Sequence, residues 1–197
     1  LFWIVTGTAF GNHDREWIRR HLPGDGSAEV RDVTPAWACF GIWGPRSRDL
    51  LAPLTTQSLS NEAFPYMTAR EITVADVPAR ALRVTYVGEL GYELYCPVEY
   101  GAGLWAALWE AGQPHDLVAG GYRAIDSLRV EKGYRVWGAD ITPDDTPYEA
   151  GVGFAVRGEK EFLGREALDE HPQRRLACIV LEDPRSVALG NEPVRVG

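Results

Sequence analysis

Residues 82–97, LRVTYVGELGYELYCP, restrict the possible folds of this chain more than any other segment. Two runs of alternating character flank a short loop that begins and ends with glycine, which is typical of a β-hairpin. A loop over residues 88–91 places Tyr86 opposite Glu93, and the two-residue period of a strand puts both on one face. The other members of this face are Leu82, Val84 and Tyr95. The sequence therefore predicts a single carboxylate in an apolar and aromatic face.

A carboxylate in such a face needs hydrogen-bond donors, because burial of an unpaired charge costs free energy or forces protonation. A glutamate bridged to an arginine of a neighbouring element is the commoner arrangement in proteins. The second arrangement uses a ligand, since two carboxylate oxygens match a planar edge with two adjacent N–H donors, as in pterins and guanines. Tyr86 adds a ring against which such a ligand packs. Both sources of donors for Glu93 stay open at this point.

Composition excludes several classes of partner. The chain has 197 residues, of which 45% are hydrophobic, enough for one large domain or for one domain and part of another. A formal charge of −8 without a cluster of lysine and arginine argues against a nucleic-acid surface. No apolar run approaches the ~18–20 residues of a membrane helix, so no membrane partner is expected. The absence of an initiator methionine indicates an internal piece of a longer protein.

The cysteines and histidines predict neither a disulfide framework nor a metal site. The three cysteines lie far apart in the sequence, which fits reduced thiols and a cytoplasmic location. They are Cys39, Cys96 and Cys178. His13 and His21 share one helical face, but no third ligand is nearby, and zinc sites need three or four ligands.

Two helices follow the hairpin. In residues 99–112 leucines and tryptophans repeat at helical spacing, which predicts that Trp105 and Trp109 face the core. In residues 122–133 we expect Ile125 and Leu128 to point inward and Gly133 to end the helix. The charged residues of this helix are interpreted as a solvated face with ion pairs between positions i and i+3. They are Arg123, Asp126, Arg129 and Glu131.

The order of strands and helices predicts an α+β fold. A polar segment, HPQRR, looks like a domain boundary, and residues 176–183, LACIVLED, resemble the first strand of a new domain. We therefore predict one domain over residues 1–169 and the truncated beginning of a second over residues 170–197.

Three longer segments resemble one family. YVGELGYELYCP, the stretch GYRAIDSLRVEKGYRVWGADITPDDTPYEAGVGFAV and FLGREAL are similar to the folate-dependent aminomethyltransferases. This family includes the T-protein of glycine cleavage and the C-terminal halves of dimethylglycine and sarcosine dehydrogenases or oxidases. The resemblance extends from about Phe2 to the end of the chain, and its details favour the fused dehydrogenase branch. It implies the aminomethyltransferase folate-binding fold, with a ferredoxin-like part and the start of a C-terminal β-barrel.

The resemblance also implies site residues. The tyrosine and glutamate that hold the pterin of tetrahydrofolate correspond to Tyr86 and Glu93, in the pattern Y-x-G-E-x-G-x-E. The arginine for the folate tail corresponds to Arg123. In free T-proteins that arginine directly precedes the helix aspartate, whereas here Ile125 has that place and Arg123 stands two residues earlier. No residue of the chain matches the family's catalytic aspartate, so the resemblance implies that this piece alone is inactive.

By the same resemblance, the parent enzyme would capture an iminium or aminomethyl carbon on tetrahydrofolate as 5,10-methylenetetrahydrofolate, in glycine, sarcosine or dimethylglycine catabolism. Any FAD is expected on a separate upstream amine oxidase domain. Two alternatives stay open. One is a folate-binding module without transferase activity, although its relatives carry a cysteine in K-G-C-Y-x-G-Q-E, where this chain has Phe162 in KEFLGREAL. The other is a structural domain in which Glu93 pairs with the protein and no folate binds.

Overall fold

The computed structural model describes residues 1–168, 171–190 and 192–195. The chain forms two compact units. The first unit contains Leu1–Thr85 and Glu89–Ala119. The second contains Tyr86–Gly88 and the chain from Gly120 onward.

A four-stranded antiparallel sheet, in the order β1-β4-β3-β2, organises the first unit. Its strands are β1 (Trp37–Trp43), β2 (Ala69–Val74), β3 (Val77–Leu82) and β4 (Gly91–Pro97). The helices are α1 (Gly11–Arg20), α2 (Ser47–Leu51) and α3 (Gly101–Gly112) in this unit, and α4 (Tyr122–Glu131) in the second. This mixture of helices and antiparallel strands confirms the predicted α+β class. Among the described residues no helix is both long enough and apolar enough to cross a bilayer.

The core of the first unit lies on one face of the sheet. Every second residue of β4 is fully buried there, because α2 and α3 cover this face with leucines. The buried residues of β4 are Tyr92, Leu94 and Cys96, and the helices contribute Leu50, Leu51, Leu104 and Leu108. Glu93 and Tyr95 consequently point to the opposite face, as the alternation of the sequence predicted.

The predicted register of the hairpin is wrong. Glu93 lies opposite Leu82, not opposite Tyr86, and the β3–β4 connection extends over residues 83–90. The connection is longer than the predicted loop because the pairing of β3 with β4 ends at Leu82, while the backbone of Arg83 continues the pairing on the β2 side, with Met67 and Thr68. Its buried guanidinium also donates a hydrogen bond to the carbonyl of Phe64, over 2.9 Å. The loop is therefore fixed by contacts with a distant segment.

The prediction that the α3 tryptophans belong to the core is also wrong. Leu104 is fully buried, whereas Trp105 is 48% exposed and Trp109 is 38% exposed. Their rings stack on each other with centroids 5.8 Å apart. The leucine stripe packs under the sheet, whereas Trp105 contacts it at the edge of the helix, with its ring centroid 6.0 Å from that of Phe40 in β1.

In the second unit, Gly133 lies just after the end of α4 and terminates the helix as predicted, since it has a positive φ of 73° and donates to the carbonyl of Val130. The prediction that Leu128 points inward is wrong, since Leu128 is 45% exposed. Arg129 is buried instead, at 6% exposure. The predicted strand over residues 176–183 is wrong too, because these residues have no regular secondary structure. The predicted domain boundary, between residues 169 and 170, lies outside the described residues, and the two domains stay a prediction.

Candidate functional site

The face of the sheet opposite the core, which we call the open face, carries the predicted carboxylate. Within β4 this face contains Glu93 and Tyr95. On one side their cross-strand neighbours in β1 are Gly41 and Cys39. On the other side β3 places Leu82 next to Glu93 and Arg80 next to Tyr95. Strands β1 and β3 therefore flank Glu93 on both sides, which holds its backbone rigidly.

Glu93 is bonded to a neutral partner. The Tyr95 hydroxyl donates to Oε2 of Glu93 over 2.7 Å. Glu93 forms no ion pair with any cationic side chain of the described residues. The commoner arrangement considered from the sequence, a bridge to an arginine, is therefore absent from this part of the chain. The half-buried carboxylate keeps acceptor capacity for the donors of a ligand.

The electrostatics of this cluster keep both neighbours of Glu93 protonated. Burial raises the pKa of the Tyr95 phenol, and its hydrogen bond to the Glu93 carboxylate raises it further. Loss of solvation around the sulfur raises the pKa of the Cys39 thiol to about 11, although part of the side chain is exposed. At neutral pH Tyr95 thus stays a hydrogen-bond donor, and Cys39 is not a thiolate nucleophile.

Two glycines beside Glu93 leave room for the indole ring of Trp43. A Cβ on Gly41, directly across from Glu93, would lie 2.7 Å from Cζ2 of Trp43. A Cβ on Gly91 would lie 2.4 Å from Cδ1 of the same indole. The ring of Trp43 therefore covers both glycines. Gly91 is required by this packing and not by the turn that the sequence suggested.

The open face also contains a shallow depression of about 360 Å³ at the β2–β3 side. Its polar lining includes Gln57, Thr73 and Arg80, and Trp37 forms an aromatic wall. Arg80 donates to Glu71 over 2.8 Å, and its guanidinium lies 3.9 Å from the centre of the Trp3 ring. Arg80, which lines this aromatic and polar depression, is two residues before Leu82, the β3 residue opposite Glu93.

Tyr86 and Arg123 lie in the second unit. The Tyr86 hydroxyl donates to the backbone carbonyl of Arg135 over 2.9 Å, and its ring packs against Tyr134 at 6.2 Å. Burial raises the pKa of this phenol. Arg123 is an exposed residue of the first turn of α4. Exposure in that turn leaves its guanidinium accessible to an anionic group.

Sequence reasoning missed the ionic cluster around Arg129. Its guanidinium donates to Asp126 over 2.7 Å, to Asp140, and to the carbonyl of Tyr134 over 3.0 Å. The predicted i,i+3 pair is thus confirmed, but it anchors the loop after α4 instead of lying on a solvated face. The buried guanidinium of Arg129 is paired with Asp140, which lies eleven positions further along the chain. No local pattern of the sequence indicates this pair.

Trp43 was missed as well. Its indole Nε1 is buried and has no hydrogen-bond partner among the described residues. The sequence signal was present, because Gly41 and Gly44 closely flank this tryptophan. Closely spaced glycines around an aromatic residue in a strand indicate close packing of its ring on the backbone. In the part of the chain that the structure describes, no group of acidic, histidine or cysteine side chains is placed to hold a metal ion.

Comparison with known proteins adds a family to this geometry. Residues 1–160 match the family model described as the GCVT N-terminal domain. The chain is 41% identical to a 4-methylaminobutanoate oxidase (formaldehyde-forming) of Paenarthrobacter nicotinovorans over 98% of its length. It is 40% identical to the mitochondrial sarcosine dehydrogenase of Homo sapiens over 92% of its length. These matches cover 24% and 21% of the two relatives, so the chain spans less than a quarter of either protein.

A solved structure supports the fold. The glycine cleavage system aminomethyltransferase T from Bartonella henselae superimposes with a TM-score of 0.58 and 25% sequence identity. The superposition covers 76% of this chain and 38% of that one.

Proposed function

The chain belongs to the family described as the GCVT N-terminal domain and is an aminomethyltransferase-family domain, and from this we propose that it is the tetrahydrofolate-binding part of a one-carbon transferase. The observation that carries the proposal is the half-buried Glu93 carboxylate on the open face, which has a tyrosine and no cation as its partner. Similarity to a sarcosine dehydrogenase and to a 4-methylaminobutanoate oxidase supports a parent enzyme that acts on N-methylated amines.

The residues on the open face fit a pterin. A pterin presents its 2-amino group and N3–H side by side, and a carboxylate accepts from both. Gly41, directly across from Glu93 on β1, has no side chain, and the ring of Trp43 lies over it. A ligand bound to Glu93 would therefore lie next to this indole. Strands on both sides fix the orientation of Glu93, and Tyr95 occupies one lone pair of Oε2. Tetrahydrofolate, when bound, would supply the N5 amine that accepts the one-carbon unit.

Tyr86 and Arg123 remain predictions from the resemblance. We propose that Tyr86 packs against the pterin and that Arg123 pairs with a carboxylate of the folate tail, as the family implies. The ring of Tyr86 is already oriented by its bond to Arg135, and Arg123 is exposed. A location in the cytoplasm is likewise a prediction, and the sarcosine dehydrogenase relative carries the word mitochondrial in its name. FAD, if the parent protein uses it, is expected on a separate domain.

Calorimetric titration with 5-formyltetrahydrofolate tests the proposal on the parent chain and on two variants. Glu93→Gln keeps the size of the side chain and removes the charge. Because a hydrogen bond to a charged group contributes about 1.5–3 kcal/mol, the dissociation constant should rise about tenfold or more. Glu110→Gln, which removes the charge of an exposed glutamate on α3, is the matched control and should bind like the parent.

Two results would contradict the proposal. Equal affinity of the parent and Glu93→Gln would show that the carboxylate does not bind the ligand. Absence of heat with the folded parent would favour the alternative of a structural domain that binds no folate. Circular dichroism shows whether each variant is folded.

A further inference from the structure

The indole of Trp43 borders the carboxylate that we assign to the pterin. Its Cζ2 and Cε2 lie over Gly41, directly across from Glu93, and its Cδ1 lies over Gly91, two residues before Glu93 on the same face. Nε1 is bonded to Cδ1 and Cε2, so the N–H belongs to the ring edge that runs between these two glycines. An N–H donor therefore borders the position of Glu93 on the open face.

This donor lacks an acceptor. Nε1 of Trp43 is one of three buried side-chain nitrogens without a partner among the described residues. A buried N–H that forms no hydrogen bond costs about 1–3 kcal/mol, and native proteins rarely keep one without a reason. The neighbouring carboxylate of Glu93 forms its hydrogen bond with Tyr95 and not with this indole. An acceptor from outside the chain would satisfy the donor.

The proposed ligand has an acceptor at the matching position. In a pterin the C4 carbonyl oxygen is adjacent to N3–H, on the same edge as the 2-amino group. When Glu93 accepts from N3–H and the 2-amino group, that carbonyl oxygen lies directly beside the carboxylate. A donor next to Glu93 completes the recognition of this three-atom edge.

We propose that Trp43 is a specificity-determining residue of this site, whose indole N–H donates a hydrogen bond to the C4 carbonyl oxygen of the pteridine. The open face thereby selects 4-oxo pteridines against 4-amino pteridines, which place a second donor opposite the indole N–H. This inference rests on the proposed folate function and extends it to the chemical class of the ring. Selection is strong at such sites because two donors that face each other leave a buried N–H unpaired.

Access to the N–H involves the loop of residues 83–90. The carbonyl oxygen of Val84 and Cβ of Thr85 lie 2.9 and 3.2 Å from the position of a Cβ on Gly91, beside the same indole edge. Because Nε1 is buried, the proposal requires this segment to move when the ligand binds.

Tetrahydrofolate and its 4-amino analogue, tetrahydroaminopterin, test the proposal by anaerobic calorimetry. The analogue has an amino group in place of the C4 carbonyl and no hydrogen on N3, so it also loses one donor to Glu93, and the readout is the effect of each substitution on each ligand. Trp43→Phe keeps an aromatic ring over the glycines and removes the N–H. It should weaken tetrahydrofolate about fivefold, the effect of one neutral hydrogen bond, and leave the affinity for the 4-amino analogue unchanged. Trp105→Phe, an exposed tryptophan on α3, is the matched control and should change neither affinity.

A second readout is independent of the analogue. In protein labelled with ¹⁵N, the Trp43 indole N–H resonance is assigned by its loss in Trp43→Phe. It should move downfield when tetrahydrofolate is added, as expected for a new hydrogen bond. Thermal melting shows whether Trp43→Phe folds.

The outcomes separate the two proposals. If Glu93→Gln weakens tetrahydrofolate but Trp43→Phe does not, or the indole resonance stays in place, the role of Trp43 is overturned and the folate function stands. Equal weakening of both ligands by Trp43→Phe would show that Trp43 only shapes the face. If the folded parent binds neither ligand, the folate function fails and this inference fails with it.

Discussion

At the scale of single residues, the open face combines one carboxylate with neutral donors. Glu93, Tyr95 and Cys39 lie on neighbouring strands, and Glu93 is the acceptor for the hydroxyl of Tyr95. Two protonated neighbours leave the charge of Glu93 uncompensated by any cation of the described residues. A ligand with donors along one edge therefore gains more binding free energy from this carboxylate than from a carboxylate that is already paired to an arginine.

The raised pKa of Tyr95 has a consequence for stability. Burial and the Glu93 carboxylate keep the phenol protonated in the folded chain beyond its usual pKa of about 10. Unfolded chains release this proton near pH 10, so the stabilisation is complete below that pH and is lost as the pH rises toward the folded pKa. The free energy of unfolding of the parent should therefore fall more steeply between about pH 8 and about pH 10.5 than that of Tyr95→Phe.

Urea denaturation at the two pH values measures this difference. Tyr100→Phe, which removes an exposed phenol, is the control and should retain the pH slope of the parent. Identical slopes for the parent and Tyr95→Phe would show that Tyr95 is not held protonated by its surroundings.

At the scale of secondary structure, β4 shows what the sequence could reveal. Its alternation separated Glu93 and Tyr95 from their neighbours on the opposite face, because the period of a strand is independent of its partners. It did not indicate that the opposite face, with Tyr92, Leu94 and Cys96, is the one that forms the core. The register was not predictable from the local pattern, which does not show that the β3–β4 pairing ends at Leu82 or that Arg83 bonds to the carbonyl of Phe64, nineteen positions away. The carboxylate of the candidate site was thus found from the sequence, but its neighbour across the pair was not.

Helix α3 illustrates a different limit. Helical spacing identifies a stripe of large apolar residues but not how much of it a single sheet layer covers. Leu104 is fully buried, and Trp105 is 48% exposed. The sequence places both within the apolar part of the helix, so only the packing partner separates them.

This difference predicts unequal effects of substitution in α3. Leu104→Ala should lower the free energy of unfolding by about 2–5 kcal/mol, because it leaves a cavity under the sheet. Trp105→Gln should cost less, about 1–2 kcal/mol, since the half-exposed ring loses its contacts with Trp109 and Phe40 but leaves no buried cavity. Urea denaturation of both variants measures the two values, and a larger loss for Trp105→Gln would contradict the assignment of the helix faces.

At the scale of the whole molecule, the apolar core belongs to one unit. All residues of the main hydrophobic cluster lie in the first unit. In the second unit the described residues contribute only a few buried side chains, among them Arg129 and Ala150. Residues 171–190 are almost entirely exposed and have no helix or strand.

Hydrogen exchange should reflect this distribution. Backbone amides of β4 need opening of the sheet to exchange and should be the most protected of the chain. Amides in residues 171–190 should exchange within the shortest sampled time, because few of them form backbone hydrogen bonds. Mass spectrometry of peptides from both segments makes the comparison. Strong protection over residues 176–183 would contradict the structure and restore the strand that the sequence predicted there.

The central claim is that Glu93 binds the amino edge of a pterin on the open face of the sheet, and a crystal structure of the chain with 5-formyltetrahydrofolate tests it most directly. The account predicts that both Glu93 oxygens lie about 2.7–3.1 Å from N3 and the 2-amino nitrogen, with the Tyr95 hydroxyl still bonded to Oε2. A pterin bound elsewhere, with Glu93 in contact only with Tyr95, would contradict the claim.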